Sequence, residues 1–129
     1  MSEHSGTEYW LKGTEMDFEL AKRLFKLKYY VYSLYFCHLA LEKALKSQVV
    51  RVTGKTPPLI HNLLTLASIS KIEITKNQEN FLKQMNRYQI ETRYPDAKYS
   101  IYQVATRKLT GEMLKETEVF LKWLMKKMK

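Results

Sequence analysis

Residues 29–53 read YYVYSLYFCHLALEKALKSQVVRVT, and this stretch decides the fold. Ser33, Phe36, Cys37, Ala40, Leu41, Ala44 and Leu45 recur every three to four positions, the spacing of one face of an α-helix. Small side chains at 33, 40 and 44 allow a neighbouring helix to approach closely. Gly54 provides a stop, and Pro57-Pro58 prevents the helix from continuing.

The same periodicity extends outward on both sides. Upstream, a helix is expected from about Thr7 to Lys28, with Trp10, Phe18, Ala21, Leu24 and Phe25 inward and Lys22, Arg23, Lys26 and Lys28 wet. Downstream, a short helix is expected over about Leu59–Ser68, then a loop over Ser70–Asn77. Thr75-x-x-Gln78 has the pattern of a capping box, and it opens a fourth helix expected from about Gln78 to Thr92. Phe81, Leu82, Met85 and Tyr88 form the inner face of that helix. Pro95 disfavours helical geometry at Tyr94, so the chain turns there. A last helix is expected from about Ser100 to the end, with Ile101, Ala105, Leu109, Met113, Phe120 and Leu124 inward. Lys122, Lys126, Lys127 and Lys129 complement its dipole. The predicted fold is all-α: one domain over residues 1–129, an antiparallel up-and-down bundle of four main helices plus one short helix.

Composition agrees with this. Only 4 Gly and 3 Pro punctuate 129 residues, which favours long helices, and 45% hydrophobic residues argue against disorder. The single cysteine, Cys37, excludes an internal disulfide and reads as a small core residue, as expected in a reducing cytoplasm. Residues 1–7 are polar and no apolar run reaches membrane-spanning length, so neither secretion nor membrane insertion is expected. A net charge of +9 favours polyanions such as RNA, or acidic protein partners.

Four scattered glycines cannot form a phosphate-cradling loop, and one cysteine with three histidines cannot fill a zinc site. His38 and Glu42 share a helical face that His61 could join, but the expectation is no metal and no cofactor. His38 is expected to pack beside the core with a hydrogen bond, and Glu42 to lie at the rim. Arg93-Tyr94-Pro95-Asp96 puts a phosphate-gripping guanidinium beside an aromatic ring and an acid. An Arg93–Asp96 bridge tying down the turn is the plainer reading.

Taken in order, these pieces resemble the HEPN family (higher eukaryotes and prokaryotes nucleotide-binding domain). The matching residues are Trp10 and Asp17, His38-x-Ala40-x-Glu42-Lys43-x-Leu45-Lys46, His61-x-Leu63-x-x-Leu66, and Arg93-Tyr94-Pro95-Asp96. The resemblance implies a helical homodimer, a nucleotide- or RNA-associated module, and a minimal nucleotidyltransferase as partner in a toxin–antitoxin-like pair. Arg93, Tyr94, Asp96, Glu42, Lys43 and Lys46 become the expected nucleotide- or RNA-binding residues.

The alternative that the resemblance implies is a metal-independent ribonuclease built on an Arg-x(4–6)-His motif. Here the pattern departs, because no arginine is followed by His in that window; Arg93 is followed instead by Tyr99, with five residues between. Tyrosine is a weak base at neutral pH. Arg93, Tyr99 and His61 are the catalytic candidates on that alternative.

Overall fold

A computed structural model describes residues 3–128, with side chains from residue 6 onward. Lys129 and the first two residues of the polar N-terminus lie outside the described residues. Six helices follow in order: α1 (Glu3–Lys26), α2 (Tyr30–Thr53), α3 (Leu63–Ile69), α4 (Lys76–Arg93), α5 (Ser100–Val104) and α6 (Arg107–Lys127). No strand occurs among the described residues, and none of the helices is long and apolar enough to cross a membrane. The all-α bundle read from the sequence is the observed fold.

α2 runs through the centre and touches each of the other five helices. Leu34, Cys37, Ala40, Leu41, Ala44 and Leu45 are fully buried along it. Leu63 and Leu66 of α3, Leu82 and Met85 of α4, Ile101 of α5, and Phe120 and Leu124 of α6 pack around them. α1 lies antiparallel to α2, and three side chains tie the pair together along its length. Ser33 donates to the Ala21 carbonyl (2.8 Å), Thr14 to that of Ala40 (3.2 Å), and Ser47 to that of Thr7 (3.0 Å). Small residues therefore serve both close approach and hydrogen bonding across the seam.

The caps explain the boundaries. Lys28 adopts φ 69 at the α1–α2 turn, with its N–H on the Phe25 carbonyl and that of Tyr29 on Leu24, a Schellman arrangement without glycine. Gly54 adopts φ 70 to end α2. Thr75 and Gln78 form the expected capping box.

Two boundaries differ from expectation. α3 starts at Leu63 because Asn62, whose side chain accepts from the N–H groups of Leu64 and Thr65, caps it there. Residues 55–62 are therefore not helical, and Leu59 is almost wholly exposed. The last helix is also divided. Ala105 leaves helical geometry and Thr106, accepting from Leu109 N–H, starts α6 afresh. The bundle thus has four main helices and two short ones among the described residues.

Candidate functional site

Tyr35, His38, Glu42 and Lys46 follow one another at helical spacing on the face of α2 that meets α4 and the segment leading into α3. Asn86 of α4 anchors that segment. Its side-chain oxygen accepts from Leu63 N–H (2.9 Å) and its amide donates to the Asn62 side chain (3.0 Å). Residue 61 is thereby held against α2.

Glu42 is buried at the centre of the resulting cluster. One carboxylate oxygen pairs with His61 Nδ1 at 3.0 Å and lies 3.8 Å from His38 Nδ1, while the other takes the Lys46 ammonium at 3.0 Å. The side chains of Glu42 and Lys46 are each only 6% exposed, whereas that of His61 is 47% exposed. Glu42 therefore lies inside rather than at the rim, because the segment carrying His61 covers it, while the Trp10 ring lies 5.4 Å from its partner Lys46 Nζ. A buried carboxylate is tolerated only when so partnered.

His38 is fully buried, and neither ring nitrogen makes a hydrogen bond of full geometry. Burial lowers its pKa to about 4, against the pull of Glu42, Asn86 and the His61 backbone. Glu42 turns to His61 and Lys46, which leaves the Asn86 side chain and the His61 backbone as the polar neighbours of the His38 ring. These three candidate ligands do meet, but no group of His, Cys, Asp and Glu among the described residues has the geometry to hold a metal ion.

Arg93 ends α4 at the surface. Its Nε donates to the Tyr35 phenol oxygen (3.1 Å), and its guanidinium lies 5.9 Å from that ring's centroid. The bond to Tyr35 pushes its pKa above the usual arginine range, with Glu42 adding a smaller pull in the same direction. No carboxylate forms an ion pair with it among the described residues. The expected bridge to Asp96 does not form, because Asp96 accepts from the N–H groups of Lys98 (3.1 Å) and Ser100 (2.9 Å). The Ser100 bond holds its carboxyl below the ordinary range. By contrast, Arg87 pairs with Glu91 at 2.8 Å and Arg23 with Glu19 at 3.8 Å.

The HEPN domain model matches residues 7–128. The chain belongs to the HEPN domain family. Its bundle is similar to the crystal structure of TT1696 from Thermus thermophilus, at a TM-score of 0.79 and 21% identity, covering 94% of this chain and 97% of that one. No curated protein matches the chain. Family membership supports a nucleotide- or RNA-related module in general.

Within this HEPN bundle the expected site residues separate. Arg93 and His61 both border the Glu42 cluster, one electrostatically and one by direct contact. Tyr94 is exposed at the end of α4. Tyr99 caps α5 in a left-handed conformation (φ 52) and stacks edge-on with Tyr102 at 6.2 Å. Lys43 faces α1, where it pairs with Asp17 at 2.7 Å and passes across Gly13. A Cβ at 13 would sit 2.8 Å from Lys43 Cδ, so a side chain there would displace the lysine stem.

Tyr35 and Asn86 are the two site residues that sequence reasoning misses. Tyr35 carries a signal, since it lies one turn before His38. Asn86 has none beyond being a polar residue beside the inner face of α4.

Proposed function

We propose that the chain binds a phosphate-bearing ligand, a nucleotide or an RNA strand, at the face centred on Arg93. The observation that supports this is the partnering of Arg93: an exposed guanidinium held in place by a neutral phenol, with its charge unspent. A planar fork in that state suits phosphate oxygens, and Tyr94 beside it offers a ring to a base. Titration with nucleotides and short RNA at low salt tests the assignment. Arg93→Ala should abolish binding and Arg93→Lys should weaken it; unaltered affinity in Arg93→Ala overturns it.

The family resemblance supports a minimal nucleotidyltransferase as partner in a toxin–antitoxin-like pair. Co-expression with a nucleotidyltransferase encoded in the neighbouring reading frame should yield a complex that survives gel filtration. A homodimer is supported by the outward apolar side chains Tyr9, Met16 and Leu20 of α1 and Val119 of α6. Light scattering that gives only the monomer mass refutes it.

A ribonuclease reading is favoured by one further observation, and that observation concerns His61 rather than Tyr99. Glu42 grips His61 through Nδ1, which leaves the other ring nitrogen to handle protons, an arrangement suited to general base work. On this reading Arg93 steadies the phosphate. RNA cleavage should be lost in His61→Ala and kept in Tyr99→Phe; the reverse pattern restores Tyr99.

A further inference from the structure

Exposed aromatic side chains are concentrated at one end of the bundle. Tyr29 and Tyr32 of the α2 entrance, and Tyr99 and Tyr102 of α5, are between 47% and 59% exposed. They form one surface. Tyr102 lies beside the Tyr32 phenol, which raises its pKa, and packs edge-on with Tyr99. Lys28, Tyr29, Tyr30, Tyr32, Tyr102 and Ala105 line an open slot of about 190 Å³. Along α2, Tyr29, Tyr32 and Tyr35 recur at one-turn intervals of about 4.5 Å, and the last of them holds Arg93. The aromatic surface and the guanidinium are therefore neighbours.

The electrostatics of this patch are positive. Lys28 lines the slot and Lys98 adjoins Tyr99 in the chain, and neither forms an ion pair among the described residues. Asp96, the carboxylate nearest in sequence, is held ionised by the backbone amides that open α5, and Lys28, Lys98 and Arg93 outnumber it. Lys28 and Tyr99, two of the three non-glycine residues with positive φ among those described, also flank it. A bulky aromatic in that conformation is disfavoured, and it persists where the surroundings enforce it.

We propose that these tyrosines form a stacking platform for unpaired nucleobases, so that a single strand anchored by a phosphate at Arg93 continues over Tyr32 and Tyr102 towards Lys28. The inference rests on the phosphate-binding reading of Arg93 and adds the kind of strand that is recognised. Tyrosine rings take the π-face of any base, while the phenol edge stays hydrated before the ligand arrives. A duplex offers no free base faces and gains nothing from the platform.

Fluorescence anisotropy with labelled oligouridylate, oligoadenylate and an RNA duplex tests this. The double variant Tyr32→Ala/Tyr102→Ala should bind single strands about tenfold more weakly or worse, with duplex affinity unchanged. Tyr32→Phe/Tyr102→Phe, which keeps the rings, should bind single strands like wild type; circular dichroism verifies that both variants fold. Equal single-strand affinity in the alanine variant overturns the platform, as does an equal loss for duplex. Conversion of a wild-type dimer to a monomer with RNA affinity intact also overturns it, by assigning the patch to contact between copies. If mononucleotides bind through Arg93 while strands gain nothing further, the platform falls and the Arg93 reading stands. If nothing binds, both fall.

Discussion

Cys37 and His38 are adjacent, both buried, and both shifted by burial. The thiol is pushed up to about 12, so alkylating reagents should leave Cys37 unmodified in the native protein and label it only on unfolding. Mass spectrometry after iodoacetamide treatment checks this. For His38 the sign runs the other way. Its folded pKa of about 4 lies below the ordinary 6.5, so between those values the unfolded chain takes up a proton that the fold refuses. Stability is complete above that window and declines as pH falls through it, by up to about 1.4 kcal/mol per pH unit. His38→Met should flatten the decline in urea midpoints measured down to about pH 4. Lys28, held at φ 69, is a third case: Lys28→Gly should raise stability by roughly 0.5–1 kcal/mol, read from the same urea curves.

At the scale of elements, caps decide what can be read from sequence. The Thr75–Gln78 box and the Gly54 stop are visible because their residue types carry the signal, and both stand as expected. The break before α6 is not visible. Val104-Ala105-Thr106-Arg107 contains neither Gly nor Pro, and Ile101, Ala105 and Leu109 keep an unbroken apolar stripe through it. Thr106→Ala removes the side-chain cap of α6 and should cost about 1 kcal/mol, measurable by chemical denaturation. The burial of Glu42 and Lys46 escapes sequence reasoning for a related reason. Periodicity shows which face of α2 meets a neighbouring helix, but it cannot show that a non-helical segment held by Asn86 covers a second face. Charged side chains on a helix read as wet unless something distant in sequence folds over them.

At the scale of the molecule, the excess of positive charge sets how any polyanion is held. Binding of a single strand should weaken with added salt, with a log–log slope of about −0.7 for each phosphate engaged. A ligand gripped at roughly three phosphates should therefore lose about twentyfold in affinity between about 50 and 200 mM salt. Affinity that ignores salt would mean that the charge of +9 only solvates the surface. The bundle is legible as a whole, while the assembly of Arg93, Tyr35 and the Glu42 cluster is not, because it draws on α2, α4 and the segment before α3 at once.

The central position of α2 has a consequence for how the chain tolerates being cut. A break inside residues 30–53 severs the one rod on which every other helix rests, and neither piece retains a dry interior. A break in the exposed stretch around Leu59 leaves the α1–α2 hairpin and the α3–α6 remainder each with an intact half of the same apolar surface. Two separately made pieces divided there should find each other in solution and reassemble without a covalent link.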